Sequence, residues 1–282
     1  MLSAETDAPP RHIIAVVPAH NEQDRITTTL MAISAIDGVE HIIVVDDGST
    51  DSTVTRAREA GAQVLSHAIC QGKAQAMDTG AKEAFRRARI QGCALDDLAL
   101  LFIDADLEDS ARHCAPLVDA IRHNQTDVAI AVLPPQEGSG GKGRVVRLAR
   151  HGINEVTGYQ PIAPLSGQRC IRARLYRDLM PMAQGWGIEV AMTITALRYG
   201  ARVLEVPCEL THRVTGKDLK GILHRADQAC AVVRTLRHQG LSLRCALTPL
   251  VRSGIGAPAP LSPEQAHEFT PQVYRMPSRP RR

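Results

Sequence analysis

The sequence predicts an α/β fold built on a mostly parallel, doubly wound sheet. Two observations predict it. Short apolar runs alternate with longer amphipathic stretches through the first half of the chain, the rhythm of strand, helix, strand. Three of those runs also end directly on acidic or turn-forming clusters, and in a parallel sheet ligands bind beyond the carboxyl ends of the strands.

Each element follows from local pattern. His12–Val17 reads as a buried strand, and Gln23–Ile36 as a helix with Ile26, Leu30 and Ile33 at helical spacing. His41–Val45 is the second strand. Asp51 is placed to cap a helix running to about Ala60. Gln63–Leu65 is a short strand, Lys73–Arg89 a helix, Leu98–Ile103 a strand, Ser110–His123 a helix and Asp127–Val132 another strand. The alternation then breaks at Pro134–Arg144, a stretch with two prolines and four glycines that reads as a mobile loop. Beyond it, Val145–Val156 looks helical and Ser166–Ile171 extended. Glu189–Tyr199 is a helix, Arg202–Val206 a strand and Asp218–Gln239 a long helix. This reading gives an N-terminal tail over 1–11, one domain over 12–250, and a Pro/Arg-rich tail over 251–282 expected to lack fixed structure.

Bulk composition narrows the function. The 282 residues are 44% hydrophobic and 22% charged, enough apolar material for a large soluble domain. Aromatics make up 3%, too few for a base-stacking platform, and a net charge of +3 gives no basis for nucleic-acid binding. Seven cysteines form no Cys-x-x-Cys pair, so reduced thiols in a cytoplasmic protein are expected rather than a zinc site. No N-terminal segment reads as a secretory leader, and no apolar run reaches the roughly 18 residues of a membrane span. The C-terminal arginines leave contact with a membrane surface open.

The chemistry-bearing residues sit at the strand ends. Pro18-Ala19-His20-Asn21-Glu22 follows the first strand, Asp46-Asp47-Gly48-Ser49-Thr50-Asp51 the second, and Asp104-Ala105-Asp106 the fourth. Alone, Asp46 or Asp51 is more often a turn or cap residue, and an isolated Asp-x-Asp arises by chance. Together, carboxylates converging on one sheet edge repel unless a cation sits among them. Oxygen-only donors suit a hard divalent ion, Mg²⁺ or Mn²⁺, completed by phosphate oxygens, which points to a nucleotide diphosphate.

These three segments resemble glycosyltransferase family 2, and the chain is similar to its glucosyl- and mannosyl-phosphoglycerate synthases and to polyprenyl-phosphate sugar transferases. The resemblance covers about Ile13 to Gln239 and implies a GT-A fold, a nucleotide-binding half joined to an acceptor half. It implies donor contacts from Pro18, Ala19, Glu22, Asp47, Ser49, Lys73 and Asp104, with Asp106 as main metal ligand. More loosely, Ser166-Gly167-Gln168-Arg169 resembles an acceptor segment, Glu189 a functional glutamate, and His212 a histidine metal ligand. Arg213, His224 and Arg225 are further candidates for holding an anionic acceptor.

The implied reaction moves a sugar from a nucleotide-diphosphate donor, UDP- or GDP-linked, to a small anionic or lipid-phosphate acceptor. Glu189 is the candidate general base, because apolar neighbours on both sides would raise its pKa. Gly138-Ser139-Gly140-Gly141-Lys142-Gly143 fits a dinucleotide-binding pattern only superficially, since Pro134-Pro135 precedes it and no acid stands about twenty residues on. It reads instead as a loop closing over the donor. A sugar-phosphate nucleotidyltransferase would carry a Gly-rich, Arg-containing loop after the first strand, where this chain has Pro-Ala-His-Asn-Glu. A non-catalytic sugar-nucleotide-binding module would not need the full acidic set. Whether the chain forms a homodimer stays open.

Overall fold

The computed structural model describes residues 8–134, 142–181, 187–211, 219–251 and 272–277. They form one eight-stranded sheet in the order β3-β2-β1-β4-β6-β5-β7-β8. The strands are β1 (His12–Ala19), β2 (Val39–Asp46), β3 (Gln63–Ser66), β4 (Leu98–Phe102), β5 (Val128–Val132), β6 (Arg169–Arg172), β7 (Arg202–Pro207) and β8 (Val273–Arg275). The helices are α1 (Ile26–Ser34), α2 (Thr53–Glu59), α3 (Lys73–Ile90), α4 (Ala115–Arg122), α5 (Lys142–Thr157), α6 (Ala173–Leu179), α7 (Ile188–Arg198), α8 (Leu219–His238) and α9 (Leu243–Val251).

The two-residue period of a strand divides the core. Ile13, Ala15 and Val17 of β1 join the layer under α1 and α4, while Ile14 and Val16 join the layer under α3, α5 and α7. Helix α3 meets the sheet with Ala74, Met77, Ala81, Ala84 and Ala88, one side of a helix at alternating steps of three and four. Small side chains there bring its backbone close to the sheet, and its first residue, Lys73, lands at the carboxyl edge.

The doubly wound expectation holds for β3, β2, β1 and β4, which pair in parallel. Beyond β4 the sheet is mixed. β6 lies antiparallel to both β4 and β5, while β5 and β7 are parallel. The inserted strand matters for the site. Its pairing of Arg169 with Phe102 sets Gly167 and Gln168 beside the carboxyl end of β4, where Asp104 emerges.

Two expectations need correction. The helix read over Ser110–His123 is a 3-10 segment, Glu108–Cys114, followed by the shorter α4 with proline in its first turn. The C-terminal tail is not wholly without structure, because β8 pairs antiparallel with β7. Tyr274 of β8 stacks on Tyr159 with ring centroids 4.8 Å apart and donates to the Thr157 carbonyl at 2.8 Å. Among the described residues no helix is long and apolar enough to cross a membrane. The glycine-rich stretch 135–141 lies outside the described residues, so its expected closing motion does too.

Candidate active site

Three strand ends build the site. The ends of β1 and β2 are laced together. Asp47 N donates to the Ala19 carbonyl at 2.8 Å, Asn21 N to Ser49 Oγ at 2.9 Å, Thr50 N to Asn21 Oδ1 at 2.9 Å and Glu22 N to Thr53 Oγ1 at 2.8 Å. Asp51 accepts from Thr53 N at 3.0 Å and Gln23 N at 3.2 Å, so from one residue outside the Ser52 N-cap it holds the first N–H of α2 and anchors the neighbouring loop at once. Gly48 sits at φ +74°, and a Cβ there would come within 2.8 Å of Cys70 N. Glycine is therefore the residue this turn accepts.

Asp47 is buried, and each of its oxygens carries two donors. Oδ1 accepts from His67 Nδ1 at 2.7 Å and Gln71 N at 2.8 Å, and Oδ2 from Gly72 N at 2.7 Å and Cys70 Sγ at 3.1 Å. A carboxylate only accepts, so His67 Nδ1 carries the proton in this pair. Burial alone would raise the Asp47 pKa, but these four donors outweigh it and hold the carboxyl below its ordinary value. As it stands, the carboxylate is saturated and holds the 67–72 loop that starts α3.

Asp104 and Asp106 leave the end of β4 half-buried. Their turn is clamped by a residue the sequence did not single out. Thr29 of α1, fully buried, donates through Oγ1 to the Ala105 carbonyl at 2.9 Å and accepts from Glu108 N at 2.8 Å. Arg25 adds ion pairs to Glu22 at 3.2 Å and to Glu108 at 3.3 Å, so the donor-side Glu22 is partnered by it. A run of three threonines on an amphipathic helix was the available signal, and its buried member is the clamp.

Lys73 stands between the end of β4 and the first turn of α7. Its Nζ lies 2.6 Å from Asp104 Oδ1 and 3.6 Å from Glu189 Oε1. Burial would lower its pKa, but the two carboxylates prevail and hold the ammonium charged. Glu189, in the first turn of α7, is buried, and burial raises its pKa against the opposing pull of Lys73 and Arg169. The direction expected for it holds. Gln168 Nε2 donates to Asp104 Oδ2 at 2.7 Å, and a Cβ on Gly167 would meet Lys73 Nζ, with Asp104 Oδ2 3.0 Å away.

The charge of Lys73 is engaged with Asp104, and both side chains keep a part-exposed face. Gln168 orients Asp104, and Gly167 makes room for the Lys73 head. One acceptor expectation is corrected. Arg169 is fully buried, donating to the Ser166 carbonyl and to Thr193 Oγ1, each at 2.8 Å. It cannot reach a solvent-borne acceptor from there. Pro18 and Ala19 lie at the end of β1 as expected. His212 and Arg213 lie outside the described residues, although Thr211 N, just before them, donates to Ser110 Oγ at 3.2 Å beside the Asp104–Asp106 turn. His224 and Arg225 fall on α8, with side chains outside the described part.

A further buried carboxylate went unread. Glu205 of β7 accepts from Ile162 N at 2.8 Å and Ala163 N at 2.6 Å. Arg150 donates to the Pro161 and Ile162 carbonyls at 2.7 and 2.9 Å. Together they fix the segment leading into Ser166–Gln168. An acid within the apolar run Val203-Leu204-Glu205-Val206 was the signal for it.

The family model "Glycosyl transferase family 2" matches residues 14–186, more than half of the chain. The chain belongs to glycosyl transferase family 2. The matched span holds all three strand-end clusters together with Lys73 and the Gly167–Arg169 strand entry. This glycosyltransferase is 30% identical over 207 residues to glucosyl-3-phosphoglycerate synthase of Mycobacterium tuberculosis, an alignment spanning 65% of this chain and 60% of the relative. It is 26% identical over 221 residues to undecaprenyl-phosphate 4-deoxy-4-formamido-L-arabinose transferase of Edwardsiella ictaluri, spanning 75% and 63%. A crystal structure of the M. tuberculosis synthase in complex with Mn²⁺, UDP-glucose and phosphoglyceric acid superposes with a TM-score of 0.62 at 26% identity, covering 95% of this chain and 88% of that one. The GT-A architecture expected from the motifs is the architecture found.

Proposed function

We propose that this glycosyltransferase moves a sugar from a nucleotide-diphosphate donor, UDP- or GDP-linked, to the hydroxyl of a small acceptor carrying an anionic group. The observation that carries the reading is the line Asp104–Lys73–Glu189 at the carboxyl edge of β4, with the Asp106 turn clamped beside it. The similarity to a synthase crystallised with UDP-glucose and phosphoglyceric acid supports this donor and acceptor class.

The residues present fit a divalent ion. Asp106 offers carboxylate oxygens, the donors a hard cation takes. Phosphate oxygens of the donor would supply further ligands, the arrangement that Mg²⁺ and Mn²⁺ prefer. Asp106 and His212 would hold the ion, which when bound neutralises charge growing on the leaving diphosphate.

Glu189 is assigned as general base. An inverting transfer needs a group to take the acceptor hydroxyl proton as the anomeric carbon–phosphate bond breaks. Burial raises its pKa, which makes it a stronger base, and Lys73 beside it opposes that rise. Lys73 and Gln168 hold Asp104 in one orientation toward the donor. Arg213, His224 and Arg225 remain candidates for the acceptor's anion.

Thermal shift with UDP-, GDP-, ADP- and TDP-sugars, each with Mn²⁺, Mg²⁺ or chelator, tests the donor site, because a ligand that binds only the folded state raises its stability. A metal-dependent shift with one donor that disappears in Asp106→Ala is expected. No shift with any donor would sink the reading. Transfer to phosphoglycerate against transfer to a polyprenyl phosphate in vesicles then separates the proposed acceptor from a second reading, a lipid-phosphate acceptor, which the similarity to the E. ictaluri transferase favours.

A further inference from the structure

Arg169 is the largest fully buried side chain among the described residues, and it stands on β6 next to Gln168, the residue that holds Asp104. A guanidinium in a sheet core is an expensive way to fill space, since apolar side chains of like volume commonly stabilise as well or better. Its geometry shows what it connects. Nε donates to the Ser166 carbonyl at the entry to β6, and Nη1 donates to Thr193 Oγ1 on α7. Thr193 Oγ1 in turn donates to the carbonyl of Glu189, one turn earlier, at 2.9 Å. Nη2 has no partner. Arg169 thus ties the strand that orients Asp104 to the helical turn that carries Glu189.

The charges around it complete the picture. Glu189 is faced by Lys73, Arg169 and Asp104, and Glu205 by Arg169, with Tyr159 beside it. Arg169 is the buried cation between two buried carboxylates, one in the site and one under the Ile162–Ala163 segment.

We propose that Arg169 is a positioning residue for Glu189. It fixes the first turn of α7 against β6 through Thr193 and supplies the counter-charge beneath the carboxylate, while Lys73 supplies the charge on the site side. This rests on the assignment of Glu189 as base.

The test compares Arg169→Met, Arg169→Lys and Thr193→Val with the parent protein and Glu189→Gln, in steady-state transfer with the donor found by thermal shift. Arg169→Met is expected to lower kcat by at least about tenfold with donor KM nearly unchanged. It should also move the acidic limb of the kcat–pH profile upward, because a carboxylate without its counter-ion protonates more readily. Arg169→Lys keeps the charge but loses the fork, so it should lower kcat without moving the limb. Thr193→Val should behave in the same way. If Arg169→Met does not fold, the lysine and valine variants carry the test. Unchanged kcat in both of those, or a kcat and pH limb left in place by Arg169→Met, would overturn the proposal. An active parent whose Glu189→Gln variant keeps its activity would instead overturn the assignment of the base, and an inactive parent the functional reading itself.

Discussion

Lys73 and Asp104 form the tightest ion pair at the candidate site, Nζ to Oδ1 at 2.6 Å, and the same ammonium reaches Glu189 at 3.6 Å. One cation therefore serves two carboxylates that would otherwise repel. Lys73→Met should lower kcat by about 10- to 100-fold. Its acidic limb should also shift to higher pH, since Glu189 loses a neighbour that opposes the effect of burial. A pH–rate profile identical to the parent's would refute this role.

Glu189 makes a separate prediction. As a base it works only when ionised, and burial raises its pKa above that of an ordinary glutamate. Activity should therefore fall with acidification sooner than a solvent-exposed glutamate would allow. Glu189→Gln should cost about 10²- to 10⁴-fold in kcat while leaving the donor-induced thermal shift in place. Loss of that shift would mean that the residue holds the donor.

Much of this site was legible in the sequence, and the reason is local. Strand ends carry their chemistry in the next few residues, so Asp47, Asp104 and Asp106 could be placed from the apolar runs before them. What was not legible depends on distant pairing. β6 is four residues long, and nothing in Arg169–Arg172 says that it slips between β4 and β5 antiparallel to both. Without that pairing, Gln168 and Arg169 read as polar residues for an acceptor, when one orients Asp104 and the other is buried. Thr29 was missed for the same reason, because its partners lie 76 and 79 residues away.

Asp47 yields a stability prediction. Its four donors come from one short loop, and its folded pKa is lowered. A depressed carboxylate contributes stability above its unfolded pKa, and that contribution is lost as pH falls through the folded value. Asp47→Ala should destabilise the protein by about 2–3 kcal/mol near neutral pH. The difference from the parent should shrink as pH drops below the ordinary carboxylate range. Urea titrations at several pH values measure it, and a pH-independent difference would argue against the lowered pKa.

Thr29 is fully buried and holds the Asp104–Asp106 turn by its backbone, so its removal separates support from contact. Thr29→Val keeps shape and volume but strips the hydroxyl that joins the Ala105 carbonyl and Glu108 N. The buried Ala105 carbonyl and the part-buried Glu108 N–H then lose a partner, a cost of about 1–3 kcal/mol, mostly from the carbonyl. The metal-dependent thermal shift should weaken while the shift with donor and chelator changes little. An equal weakening of both would place the defect elsewhere in the fold.

The C-terminal strand gives the last prediction. β8 covers the β7 edge, and Tyr274 both stacks on Tyr159 and donates to the Thr157 carbonyl at 2.8 Å. That contact lies just before the segment held by Glu205 and Arg150, which runs on into Ser166–Gln168. Ending the chain at residue 271 removes the edge pairing and the stack, and with them about 2–3 kcal/mol of stability. Because the loosened segment leads to Gln168, the loss should reach Asp104 and lower kcat as well as the melting temperature. Tyr274→Phe keeps the stack and removes only the hydroxyl, so it should recover most of both. A truncated protein with lower stability and full kcat would show that β8 protects the sheet edge without holding the site.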